Sequence, residues 1–181
     1  YATNPLLTLL WSVIYFPQFG LKTLVALRNL FSDMADVGVF QVAAWKLAFQ
    51  FLASAKLAHI LLRQKCTHLH VHFAHTPTQL AMYSAMLSGI PFTFTAHAND
   101  IFAAGLLLPV KAQRATHVMT ISEFNSKHLQ SLGIPSTDIS VVRCGVSFSN
   151  LPLNYRDKGG SSSGNIHIGS LGRLVEKKGF D

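Results

Sequence analysis

The sequence predicts an α/β domain: a parallel sheet with flanking helices, preceded by a helical stretch. Three features lead there. From residue 68 onward, short apolar segments alternate with helical-period segments, and Gly, Pro or Ser separates each from the next. The first 65 residues carry helical periodicity without strand-like alternation. Apolar residues make up 49% of the 181-residue chain and charged residues only 13%, which supplies a core and argues against disorder.

Segments 6–15 and 21–31 read as apolar helices separated by Pro17 and Gly20, both strong helix punctuation. A longer helix is expected over 39–63, where Lys46, Gln50 and Ser54 step by four and trace a narrow polar stripe on an otherwise buried surface. Residues 68–73 form a short strand, and 77–88 a helix that Gly89 ends. Another strand covers 91–96 and leads into a loop over 97–102. A helix over 106–114 precedes a strand at 116–121. Ser122 is placed as the N-cap of a helix reaching 132, with Gly133 as its stop, and 139–143 is one more strand. This rhythm predicts a parallel sheet covered on both faces.

Residues 150–165 (NLPLNYRDKGGSSSGN) have linker composition, and a strand restarts at 166–171 before a turn and new helix over 172–181. The expected organisation is therefore a partial domain over 1–149, a linker over 150–165 and the start of a second, similar domain over 166–181. The chain begins at Tyr1 and stops inside an apparent helix at Asp181, so both ends read as cut.

A net charge of +7 suits a partner carrying phosphate groups, an anionic membrane face or nucleic acid. No Lys/Arg run is interleaved with aromatics, which argues against nucleic acid. Cys66 and Cys144 lie far apart and form no metal or redox motif, as expected of two thiols in a reducing cytoplasm. The apolar run 5–16 stops at Pro17, short of the roughly 20 residues that span a bilayer, and it lacks the flanks of a signal peptide.

Ligands of open parallel sheets bind at the carboxyl ends of the strands. Polar residues gather in four loops there: His72, His75 and Thr76; Thr95, His97, Asn99 and Asp100; Ser122, Glu123 and Asn125; and the tail with Gly172, Arg173, Glu176, Lys177 and Lys178. Gly172 followed by Arg173 and Lys178 around a helix start would aim two cations and free N–H groups at a diphosphate, though a solvated basic turn has the same spacing. No G-x-G-x-x-G and no P-loop occurs. His68, His70 and His72 share one strand face and with His75 could ligate a metal, or simply pack and hydrogen-bond. His97 could donate to a substrate hydroxyl or shuttle a proton, or bond a neighbouring carbonyl. Ser122 reads first as a helix cap.

The segments HVHFAHTPTQLAMYSAMLSGIPFTFTAHANDIF, THVMTISEFNSKHL, ISVVRCGV and IGSLGRLVEKKGF resemble, in order and spacing, the successive landmarks of family 4 glycosyltransferases, nearest to the bacterial exopolysaccharide and colanic-acid branch. The resemblance implies the two-domain GT-B fold, with two Rossmann-like domains facing each other across a cleft. The N-terminal one takes the acceptor and the C-terminal one a UDP- or GDP-sugar; transfer retains the anomeric configuration, usually without a metal or other cofactor. His97 is similar to the family histidine facing the transferred sugar, and Arg173 and Lys178 match the pair that neutralises the donor diphosphate. Asp100, Ser122 and Arg143 fall at cleft-edge positions, as does His72 on the neighbouring strand end. Ser147 stands where the branch often has Asp; the family's N-terminal Gly-rich loop and its later glutamate pair lie outside these residues. The chain alone is accordingly expected to be inactive.

The expected activity is sugar transfer from a nucleotide-diphosphate sugar to a polysaccharide or lipid-linked acceptor, in the cytoplasm. Peripheral contact with the inner face of the plasma membrane fits six Lys/Arg against two Asp in the apolar first 65 residues. Two alternatives stand beside it: a non-catalytic module docking a membrane or partner, and a nucleotide-sugar epimerase of the same architecture.

Overall fold

Asn4 starts the first helix by accepting the Leu6 N–H at 2.9 Å, with Pro5 pre-set for the first turn. The computed structural model of the chain describes residues 4–145 and Gly172. The chain divides into two compact units, Tyr1–Cys144 and Gly145–Asp181. The expected linker and second-domain start lie outside the described residues, as do Arg173 and Lys178.

Helix α1 spans Pro5–Tyr15, α2 Leu21–Val37 and α3 Val42–Arg63. The sheet follows: β1 Leu69–His72, α4 Thr76–Ser88, β2 Phe92–Ala96, α5 Ala98–Phe102, α6 Leu108–Arg114, β3 His117–Thr120, α7 Glu123–Ser131 and β4 Ile139–Val141. Gly89 ends α4 in the left-handed conformation (φ 81°), donating its N–H to Ala85 at 2.7 Å, where a Cβ-bearing residue would be strained.

All four strands are parallel, in the order β1-β2-β3-β4. Stepping always in one direction with right-handed crossovers puts α4, α6 and α7 on the same face. That face carries Leu69, Val71, Phe92, Phe94, Ala96 and Val118, which join Met82, Leu108, Ala112 and Leu129 in the hydrophobic core. Helix α3 stacks on α4, α1 packs on α3, and α2 packs on both α3 and α4.

The opposite face bears His70, His72, Thr93, Thr95, His117, Met119 and Ser140, and no described helix covers its exposed His70, His72 and Ser140. The expected cover on both faces is not seen among the described residues, because strands that step in one direction lay their crossover helices on one side. On the open face the histidines bond sideways. His68 Nε2 and His70 Nδ1 meet Thr93 Oγ1 at 2.9 and 2.8 Å, and His70 Nε2 meets Thr95 Oγ1 at 3.0 Å. Partial desolvation against the sheet, with His72 and His68 nearby, lowers the pKa of the largely exposed His70, so its ring is mostly neutral at pH 7. Among the described residues no group of three His, Cys, Asp or Glu is placed to hold a metal ion.

Helix α2 outruns its expected end at residue 31 because Asp33, a buried charge, faces inward. Its carboxylate takes both Arg114 guanidinium nitrogens at 2.7 Å and the Tyr83 hydroxyl at 2.8 Å. The buried phenol has its pKa raised by desolvation and by Asp33. Helix α3 also departs from expectation. Four residues advance about 40° beyond one turn, so a step-of-four stripe winds around the helix. Lys46 is exposed, but Ser54 has rotated into the α4 interface, where its carbonyl accepts from Ser84 Oγ at 3.1 Å. Trp45, Phe49, Ile60 and Leu62 are exposed instead, so the helix is not otherwise buried.

Candidate functional site

The carboxyl ends of β1 and β2 bring three aromatic rings together. His97 lies 6.0 Å from His72 and 4.9 Å from Phe73, centroid to centroid. Phe73 holds a left-handed backbone (φ 75°), which L-residues with a bulky side chain rarely adopt. The surroundings enforce it: the Phe73 N–H donates to Thr95 at 2.9 Å, and its carbonyl accepts from Thr78 Oγ1 at 2.8 Å. Stored backbone strain of this kind collects at functional sites.

His97 is half-buried, and its Nε2 is buried without a hydrogen-bond partner among the described residues. Buried polar groups are normally paired, so this nitrogen has an unused bond to give. Asp100 holds the loop that carries it. The aspartate has no exposed surface, and both its oxygens accept the His97 N–H at 3.1 Å. Oδ2 also accepts the N–H of Ala74, in the β1–α4 loop. The expected loop over 97–102 is consequently a one-turn helix, α5.

Lys111, unremarked in the sequence, completes the brace. Fully buried in α6, it donates from Nζ to the Ala74 carbonyl at 2.6 Å. Ala74 is therefore gripped through its N–H by Asp100 and through its carbonyl by Lys111. Burial pulls the Lys111 pKa down to about 7, against the opposing pull of Asp100 and Asp33. The only signal in the sequence was a lysine inside the apolar segment LPVK. Asp100, expected at the cleft edge with a chemical part, is enclosed by backbone donors and reaches no solvent.

The other expected positions sit at the ends of β3 and β4. Ser122 caps α7, accepting the Asn125 N–H at 3.2 Å. Asn125, 3% exposed, has its Nδ2 buried and without a partner among the described residues, a second orphaned polar group at a strand end. Arg143 pairs with Glu123 at 3.3 Å, both side chains mostly exposed, a contact worth little to stability. Gly172 is exposed, and the expected diphosphate contacts of Arg173 and Lys178 fall outside the described residues.

No helix among the described residues is long and apolar enough to cross a membrane. No curated protein matches the chain. The domain model of Glycosyltransferase Family 4 matches residues 30–150, a span that runs from α2 through β4 and contains every residue of the brace. With that match over most of its 181 residues and the parallel α/β sheet beneath it, the chain belongs to Glycosyltransferase Family 4.

Proposed function

We propose that the chain is the acceptor-side part of a retaining glycosyltransferase that moves a sugar from a UDP- or GDP-sugar to a lipid-linked or polysaccharide acceptor, in bacterial exopolysaccharide synthesis. The observation that carries this is the His97 imidazole at the strand ends, its Nε2 without a partner among the described residues, on a loop that Asp100 and Lys111 hold. A fixed imidazole edge suits a sugar hydroxyl: it bonds without reorganising as charge develops at the neighbouring anomeric carbon.

In the reaction the bond between the anomeric carbon and the diphosphate oxygen breaks, and its electron pair stays on the leaving nucleoside diphosphate. The acceptor oxygen bonds to the same face of that carbon and passes its proton to the departing diphosphate oxygen. Charge on the leaving group needs cations, which Arg173 and Lys178 supply in this reading. His72, Ser122 and Arg143 border the acceptor side, and Asp100 positions His97 without touching the sugar. The protein works in the cytoplasm, touching the inner face of the membrane through the apolar outer surface of α1–α3, where Leu6, Leu10, Val13 and Leu24 are exposed.

The test is calorimetry of the enzyme carrying a complete donor domain. Arg173→Ala should weaken UDP or GDP binding roughly tenfold or more, the loss of one charge-assisted contact. Unchanged affinity contradicts the diphosphate role.

A further inference from the structure

A cavity of about 420 Å³ opens between α1, α3 and α4, away from the sheet's open face. It has the volume of a small-molecule site, and its walls are apolar apart from a few polar groups, the usual build of such sites. Leu57 and Leu80 form part of the wall, and Phe49 and Ile60, each 38% exposed, stand where it is open to solvent. Two groups in it await a partner. Gln50 Oε1 is buried with no hydrogen-bond partner among the described residues, a polar group in an otherwise apolar wall. Lys56 is the one charged side chain lining the cavity; its Nζ sits 4.5 Å from the Trp11 ring centre, and no described carboxylate pairs with it. An apolar chamber with one unpaired cation is complementary to an apolar chain that ends in an anion.

Its position adds a second argument. Thr76, the first residue of α4, lines the cavity and follows directly on the β1–α4 loop that Asp100 and Lys111 grip. The two helices that wall the cavity, α1 and α3, also carry exposed apolar side chains, Phe49 and Ile60 among them, as a surface that meets a bilayer would.

We propose that this cavity binds an amphiphile with an apolar chain and a phosphate head, with the chain against Leu57 and Leu80 and the phosphate at Lys56. The assignment rests on the lipid-linked acceptor of the proposed function, and names where that acceptor's carrier is held.

The chain has two tryptophans, so Trp45→Phe leaves Trp11, in the cavity wall, as sole reporter. Titration of this chain with dodecyl phosphate below its micelle concentration should give saturable Trp11 quenching or shift. Lys56→Met should weaken dodecyl phosphate roughly tenfold and leave dodecanol unchanged. Ala53→Phe, which fills the cavity, should abolish both, with circular dichroism confirming the fold. No saturable change, or equal affinity for dodecyl phosphate in Lys56→Met, overturns the proposal. Two sources share this chemistry, and two further probes separate them. Farnesyl phosphate binding lost in Ala53→Phe while phosphatidylglycerol vesicle binding persists supports a single-chain carrier; loss of both supports a bilayer phospholipid chain in the same cavity. Binding of dodecyl phosphate by an enzyme unable to transfer sugar would leave the cavity standing and remove the proposed function. Sugar transfer with no such binding would do the reverse.

Discussion

His97→Ala in the enzyme with a complete donor domain should lower kcat about 100-fold and leave the nucleoside-diphosphate Kd nearly unchanged. The reasoning is geometric. Nε2 is the unpartnered nitrogen of a ring packed beside His72 and Phe73, and the diphosphate cations of the proposal lie on another segment. An interaction that strengthens only as the sugar gains charge appears in kcat, whereas a uniform binding contact appears in KM. His97→Asn, which keeps a polar edge, should recover part of the loss. Steady-state kinetics beside calorimetry give both readings, and full turnover in His97→Ala removes the imidazole from the mechanism.

Asp100→Ala should be among the most destabilising single changes in the domain. It strips acceptors from the Ala74 and His97 N–H groups, each orphaned donor costing about 1–3 kcal/mol. The sum, on the order of 3 kcal/mol, corresponds to a fall in Tm of roughly 10 °C. Asp100→Asn, with one acceptor oxygen left, should lose less. The pH dependence has a definite sign. Lys111 titrates at about 7 in the fold against 10.5 for an ordinary lysine, so over that window unfolding takes up a proton. The penalty for burying the ammonium is present in full below pH 7 and is relieved as pH rises toward 10. Stability therefore climbs with pH over this range, and Lys111→Met should flatten the climb. Thermal melts of the unsubstituted protein and the three variants across pH 6–10 check these statements, and an unchanged slope in Lys111→Met would contradict the burial account.

Much of the sheet was legible because its punctuation is local. Gly89 and Ser122 act on neighbours within four residues, and each sits where the sequence placed it. What escaped depends on partners far along the chain. Asp33 falls beyond the expected end of its helix, and its ion pair, Arg114, lies 81 residues away. Lys111 meets Ala74 across 37 residues, and no periodicity announces that contact. Helix α6 starts at Leu108, two residues later than expected, because Leu107 takes a left-handed conformation (φ 56°) that helical periodicity does not encode. The sheet face left open among the described residues follows from strand order, which alternation alone does not fix. His97 and Asp100 stand in one motif at a strand end, whereas Lys111 joins them only through a contact far along the chain.

Retaining transfer from a nucleotide sugar is the central claim, and proton NMR of the reaction tests it directly. The enzyme with its donor domain complete, given a UDP- or GDP-hexose and a lipid-linked acceptor, should release one nucleoside diphosphate per sugar transferred. The product's anomeric proton should show the same configuration as the donor's. A product of inverted configuration, or free hexose with no glycosylated acceptor, would contradict the account.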